Sequence, residues 1–309
     1  MSRWENFCVV GIGGHARTKL LPGIAENGQK VVGLVSRQPS DTLPDGPIYP
    51  TVEAALPHLP PGTAILISSP PASHYIQAKA ALSAGFDVFV EKPAFVSVDE
   101  AQDLATLCAT NGTVLVEAFM QRYTALYSLL LEHIANNPPV VIDISFLIPA
   151  QPQGTFRNAE DLSASSLYDI GCYILALLDD IGINPAVFDI ADVRDAGTMT
   201  EALELFGHSG TTVLRASIGV DAEYVNRVRV VGVEGDSTTF EPLFYGRPGT
   251  KMIGDRQIED CNGFAAMLAV PREHWLANQP ERLTSMIAVT KALGSLALQL
   301  AEFRLESRP

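Results

Sequence analysis

The chain has 309 residues, 47% of them hydrophobic and 18% charged, with a formal net charge of -14. That length suits about two domains at ~150 residues each, and the apolar fraction is ample to offset ordering entropy, which excludes extended disorder. The acidic balance argues against a nucleic-acid partner, which would need clustered Lys and Arg against phosphates.

Cys8, Cys108, Cys172 and Cys261 show no metal-ligand spacing, so no metal is expected. Cys8 and Cys108 lie in apolar patterns and read as core residues; a reducing cytoplasm is the expected compartment. No apolar run nears the ~18 residues of a membrane span, so no membrane partner is expected. Met1 to Asn6 lead straight into a strand and are not built as a signal peptide.

In chain order, Phe7 to Val10, Val31 to Val35, Ala64 to Ile67, Val88 to Val90 and Val114 to Val116 are short β-branched or aromatic runs. Helix-like segments lie between them at Thr18 to Asn27, Ser73 to Ala84 and Ser97 to Asn111. The last opens on a cap with first-turn acids and closes on Asn111-Gly112. Such alternation predicts βαβ units and a parallel sheet covered on both faces. Beyond residue 120 the rhythm changes. Val140 to Leu147 reads as a strand and Ser166 to Asp179 as a helix. Strand patterns follow at Ala186 to Val193, Glu201 to Phe206, Thr211 to Ile218, Arg227 to Val233 and Ser237 to Phe240. Turns are expected at Gly207 to Gly210 and Glu234 to Asp236, and a helix from Glu281 to Leu305. The expected fold is an α/β Rossmann domain, doubly wound with a mostly parallel sheet, over residues 1–121. An α+β domain with an open, mostly antiparallel sheet follows over 122–309.

Gly11-Ile12-Gly13-Gly14-His15-Ala16 joins the first strand to the first helix. Gly11 permits the tight turn, Gly13 admits a pyrophosphate, and Ala16 holds the small third position; Gly14 and His15 complete the cofactor contact. The helix start then offers N–H groups to phosphates. An acid after the second strand would bind the ribose 2′-hydroxyl of NAD; here stand Ser36 and Arg37, which suit a 2′-phosphate, and NADP(H) is the expected cofactor.

Glu91-Lys92-Pro93 ends the strand at Val88 to Val90, at the mouth of the sheet. With Ser68-Ser69-Pro70-Pro71 and His74 upstream, it resembles the glucose-fructose oxidoreductase/inositol dehydrogenase family (Gfo/Idh/MocA). Glu117-Ala118-Phe119-Met120 and Asp169-Ile170-Gly171-Cys172-Tyr173 extend the resemblance. Ile148 to Gly154 with Phe156-Arg157 resembles the NADPH-dependent 3-ketoreductases of nucleotide-linked deoxysugars. The resemblance implies Ser69, Pro70, His74, Glu91 and Lys92 at the cofactor, and a cis Lys92-Pro93 bond. It also implies catalysis by Lys92, Tyr173 and Asp169. Tyr173 would be the acid/base, with its ordinary pKa near ~10 lowered by an ammonium such as that of Lys92. Asp169 stands four residues before Tyr173, on the same helix face. Arg157 and Arg122 are expected to hold an anionic group of the substrate.

Two stretches depart from the family. Ser163 to Ser166 stand where relatives have glycines, and Thr124-Ala125 where a His-Pro pair is expected. Both bear on the substrate. The expected function is an NADP(H)-dependent oxidoreductase interconverting a ketone and a secondary alcohol on a sugar-like substrate, first a nucleotide-linked 3-keto-deoxysugar. The alternatives are a dihydrodiol or aldose dehydrogenase, an imine reductase, or a non-catalytic NADP-sensing regulator. A homodimer or homotetramer through the second-domain sheet is expected by analogy.

Overall fold

A computed structural model describes residues 3–37, 46–149, 165–196, 199–220 and 223–306. Its first strands are Asn6–Val10 (β1), Lys30–Val35 (β2), Ile48–Tyr49 (β3), Ala64–Ile67 (β4), Asp87–Glu91 (β5) and Leu115–Ala118 (β6). They form one sheet in the order β3-β2-β1-β4-β5-β6, every pair parallel. Parallel neighbours need crossovers, supplied by helices Leu21–Glu26 (α1), Val52–Ala55 (α2), His74–Ser83 (α3) and Val98–Asn111 (α4). The order reverses between β1 and β4, and in sheets of this kind ligands bind outside the C-terminal ends at that point.

The second unit contains helices Ala125–Asn136 (α5) and Cys172–Asp180 (α6). Its strands are Val141–Leu147 (β7), Phe188–Ala196 (β8), Met199–Ser209 (β9), Thr212–Gly219 (β10), Val225–Val231 (β11), Ser237–Glu241 (β12), Gly249–Ile253 (β13) and Arg256–Asp260 (β14). They pair in the order β14-β13-β12-β11-β7-β10-β9-β8, and only β7 with β10 is parallel among these pairings. Strict alternation along β7 buries Ile142, Ile144 and Phe146. The opposite face, where self-association is expected, presents Arg215, Arg227, Arg229 and Phe206. The turn expected at Gly207 to Gly210 lies later. β9 runs on to Ser209, which pairs with Thr212, and only Gly210 takes a positive φ of 57°. Gly207 stays in the strand because any Cβ there would lie 2.6 Å from the Val187 carbonyl oxygen.

Three helices complete the chain: Gly263–Ala269 (α7), Arg272–Ala277 (α8) and Gln279–Glu306 (α9). The sequence division places everything after residue 121 in the second domain. Instead, Asn262–Ile287 belongs to the same compact unit as the residues up to Met120. Non-local bonds tie it there: Asn27 Nδ2 donates to Ala265 O at 2.8 Å and Gln29 Nε2 to Leu268 O at 2.9 Å. It covers one face of the parallel sheet. Phe89 meets Trp275 at 5.7 Å, Trp4 at 5.0 Å and Phe7 at 5.9 Å. The other face buries Val10, Ile65 and Val88 against Ala78, Leu82 and Leu104 of α3 and α4.

Over Gln279–Leu305, α9 reaches the length and hydropathy of a membrane span, although no uninterrupted apolar run of that length occurs there. Ser, Thr, Lys and Glu interrupt the run, but the helical pattern is plain: Leu283, Met286, Val289, Leu293, Leu296 and Leu300 recur three or four apart and are buried. This is the stripe of a helix packed into protein.

Asp87 is the polar hub of the first unit. Its carboxylate accepts from Trp4 Nε1 at 3.0 Å, Arg272 Nε at 2.6 Å and Nη2 at 3.0 Å, and Val114 N at 2.8 Å. Asp87→Ala leaves these donors unmatched and is expected to cost about 3 kcal/mol. Trp4 donates to it and both tryptophans of the chain pack on Phe89, so their fluorescence during urea unfolding reports this unit. A loss no larger than that of an exposed control, Asp99→Ala, would show that the hub contributes little.

Candidate active site

The site of the first unit is built on the turn after β1. Gly11 has a φ of +83°, and its N–H donates to Val35 O at 3.0 Å. A Cβ there would lie 2.6 Å from Ser69 N. The turn is therefore pressed between the ends of β2 and β4, and glycine is required twice over. At Gly13 and Gly14, both exposed, a Cβ would meet nothing within 4 Å. The ladder of the next helix begins with Arg17 N donating to Gly13 O at 3.1 Å. The N–H groups of Gly14, His15 and Ala16 precede that bond and have no partner within the helix. Ala16 is fully buried and begins a widened π turn, Ala16–Leu20, which leads into α1. Open backbone, a small third residue and a helix start fit a pyrophosphate.

Ser36 and Arg37 follow β2 directly, Ser36 N donating to Tyr49 O at 3.0 Å, with Arg37 exposed. Val35, which binds the glycine turn, precedes them. After β4, Ser69 Oγ donates to Gln77 Oε1 at 2.6 Å and Pro70 is exposed.

The expectation that His74 touches the cofactor is corrected. The ring is fully buried, with Nε2 2.8 Å from Ser69 O and Nδ1 3.1 Å from both Pro93 O and Ala94 O. Burial pushes its pKa down, against these carbonyls and Glu91, which favour the charged form. His74 staples the turn after β4 to the turn after β5 and has no surface left for a ligand.

Glu91 ends β5, 7% exposed, and receives His15 Nε2 at 2.9 Å. Burial alone would raise its carboxyl, but His15, Lys92 and His74 outweigh that and hold it below the usual carboxylate range. Lys92 follows, half-buried, and the Lys92-Pro93 bond is cis, as the resemblance implies. Glu117, on β6, accepts from Ala94 N at 2.9 Å and so fixes the turn that carries Lys92. In the sequence Glu117 stands out only as part of a block; an acid near a strand's C-terminal end is the signal that points to it.

In the second unit, Asp169 is 4% exposed and Tyr173 7% exposed. The segment Leu167–Gly171 is again a π turn, running into α6. Asp169 lies in that turn and Tyr173 in the first turn of α6, four residues on. Gly171 packs closely there, a Cβ lying 3.2 Å from Ile218 Cδ1. The Tyr173 ring packs against Phe146 at 5.5 Å and Phe244 at 5.6 Å. Arg122, expected on a substrate anion, gives its Nε to Asp180 Oδ2 at 2.8 Å, which also accepts from Tyr127 Oη at 2.6 Å. Thr124, at the departure from the family, caps α5 by accepting from Tyr127 N at 3.4 Å. At the other departure, Ser165 and Ser166 are buried; Ser163, Ala164 and Arg157 lie outside the described residues.

Residues 5–119 match the oxidoreductase family with an NAD-binding Rossmann fold, Gfo/Idh/MocA. Over that span the chain is similar to the Gfo/Idh/MocA oxidoreductases. It is 26% identical over 241 residues to "D-xylose 1-dehydrogenase (NADP(+)) 2" of Haloferax volcanii, spanning 74% of either chain. It is 30% identical over 185 residues to a dTDP-3,4-didehydro-2,6-dideoxy-alpha-D-glucose 3-reductase of Streptomyces violaceoruber, covering 57% of this chain and 53% of that enzyme. Among solved structures, a 3-ketoreductase from Actinomadura kijaniata in complex with NADP and TDP-benzene superposes with a TM-score of 0.80 at 18% identity. That match covers 95% of this chain and 97% of the other. An aldose-aldose oxidoreductase from Caulobacter crescentus gives 0.79 at 17% identity, covering 97% and 98%. At such identities the structures establish the common fold, Rossmann unit and open sheet together. The first unit gathers Gly11, Gly13, Gly14, His15, Ser36, Ser69 and Glu91 at the C-terminal edge of one sheet, with Lys92 adjoining. Asp169 and Tyr173 stand together in the other unit.

Proposed function

We propose that this oxidoreductase uses NADP(H), held by the first unit, to interconvert a ketone and a secondary alcohol on a sugar-like substrate held by the second. A nucleotide-linked 3-keto-deoxysugar is the first-choice substrate. The observation that carries the reading is an open glycine turn at the β1/β4 reversal, bound through Val35 to a strand end that bears Ser36-Arg37 and no acid. A planar guanidinium and a hydroxyl suit a 2′-phosphate. The similarity to the dTDP-sugar 3-reductase and to an NADP(+)-dependent xylose dehydrogenase supports both cofactor and substrate class.

The dinucleotide, when bound, supplies or accepts the hydride. Tyr173 Oη gives its proton to the carbonyl oxygen as charge develops there, and takes it back in the reverse direction. The family resemblance assigns Lys92 an ammonium that favours the phenolate left behind. Asp169 orients a substrate hydroxyl by accepting its hydrogen bond. The buried aromatic surroundings of Tyr173 keep water from competing for that proton.

The xylose dehydrogenase relative, with the larger coverage, favours a second reading, an aldose dehydrogenase. One assay separates them. With NADPH and a dTDP-linked 3-keto-6-deoxysugar, absorbance loss is expected; with NADP+ and free aldoses, little gain. The reverse pattern would favour the aldose reading, and inactivity on both would sink the substrate class. In the same assay Arg37→Ala is expected to erode the preference for NADPH over NADH by about ten- to a hundredfold, the value of one charge-assisted phosphate contact.

A further inference from the structure

The His15–Glu91 contact joins the two turns on which the proposed cofactor site depends, 76 residues apart in sequence. His15 follows Gly14 at the start of the helix, and its side chain is 42% exposed. Its Nε2 is 2.9 Å from Glu91 Oε1, and its ring meets the edge of Phe264 at 5.5 Å. Two partners therefore fix the ring plane. Glu91 is buried, and its carboxylate is an acceptor only. The other ring nitrogen, Nδ1, belongs to the residue that directly follows the open backbone of Gly13 and Gly14, where a phosphate fits.

We propose that His15 is a charged bridge, Nε2 donating to Glu91 and Nδ1 donating to a phosphate oxygen of the bound dinucleotide. The inference rests on the NADP(H) reading. A neutral imidazole carries one N–H and cannot donate on both sides; a ring between two acceptors must be imidazolium. Binding therefore takes up a proton wherever the ring is neutral beforehand. By linkage, affinity is constant while the free ring is already protonated and falls by up to tenfold per pH unit above that range. The other charged groups near the pair are Lys92 and His74 toward Glu91, and Arg17 and Lys19 along the helix. Lys92, Arg17, Lys19 and buried His74 are common to wild type and His15→Gln, so they cancel in that comparison. The bridge also makes cofactor occupancy felt at Glu91, one residue from Lys92.

The test is NADPH titration by quenching of tryptophan fluorescence, from about pH 6 to about pH 8.5, a range that brackets ordinary imidazole titration. Wild type, His15→Gln and Glu91→Gln are compared. The 2′-phosphate titrates near ~6 in every case, so only differences between proteins count. Wild-type Kd is expected to rise about tenfold more across the range than that of His15→Gln, which binds more weakly at low pH and keeps one neutral donor. Glu91→Gln is expected to flatten the slope as well, because the imidazolium loses its counter-charge. Should Glu91→Gln fail to fold, His15→Gln, altered at a half-exposed surface position, decides alone. Equal slopes in wild type and His15→Gln overturn the bridge while leaving NADPH binding intact. Absence of NADPH binding in wild type at every pH overturns the cofactor reading, and the bridge with it.

Discussion

Tyr173→Phe is expected to lower turnover by roughly 10²–10⁴-fold, the range that a positioned proton donor contributes. The substitution is suited to the question. Tyr173 is 7% exposed, and its ring packs against Phe146 and Phe244, contacts that a phenylalanine ring reproduces. Only the hydroxyl is lost, so thermal stability and NADPH affinity should stay near wild type while kcat falls. A fall in kcat with KM nearly constant marks a group that acts in the transition state rather than in ground-state binding. Lys92→Met should bring a comparable loss and move the alkaline limb of the kcat profile to higher pH, since the phenol is kept but the ammonium that favours the phenolate is gone; in Tyr173→Phe that limb should be absent. Turnover of Tyr173→Phe within about threefold of wild type would remove Tyr173 from the chemistry.

The glycine turn gives the second large effect. Gly11→Ala combines a φ of +83° with a Cβ 2.6 Å from Ser69 N and 2.8 Å from Ser68 C. Those atoms are backbone, held by Ser68 N donating to Val10 O at 2.7 Å and by the β1–β4 register. They cannot rotate away as a side chain could, so loss of NADPH binding and a cost of at least ~2 kcal/mol in stability are expected. Gly13→Ala is the control that separates the two consequences. Its Cβ meets nothing within 4 Å, so stability should hold while the methyl group occupies the space assigned to the pyrophosphate. A hundredfold weaker Kd, about 2.7 kcal/mol, is the expected reading. Wild-type affinity in Gly13→Ala would mean that the dinucleotide phosphates lie elsewhere.

The elements legible in the sequence were those specified locally. β1, β2, β4, β5 and β6 carry short apolar runs with polar residues mostly at their ends, as strands of a parallel sheet buried on both faces do, and α4 carries its own first-turn acids and a Gly112 stop. The glycine turn was legible because glycine has few other reasons to recur at that spacing. What escaped depends on distant partners. Ile48–Tyr49 has two residues and exists as a strand only through Leu34 and Val35. β13 contains Lys251, 1% exposed, whose Nζ donates to Tyr245 O at 3.0 Å and lies 4.4 Å from the Tyr245 ring. A buried lysine breaks the apolar pattern of a strand, and only the folded partner explains it. The placement of α7 and α8 rests on Arg272 and Asp87, 185 residues apart, a pairing that no window along the chain reveals. The site residues divide in the same way. Glycines and the Glu91-Lys92-Pro93 block were readable as types, whereas the burial of His74 and the commitment of Arg122 to Asp180 are properties of neighbours brought in by the fold.

That return of Asn262–Ile287 to the first unit sets the order in which the protein can be made. Translation proceeds at ~5–20 residues per second, so the strands around Phe89 wait on the order of ten seconds or more for Trp275 to leave the ribosome. Over that interval the nascent sheet carries an uncovered aromatic face, while the whole of the second unit is synthesised. The half that starts first is among the last to be closed. A gene fragment cut near residue 121 would leave it permanently in the state that the growing chain passes through.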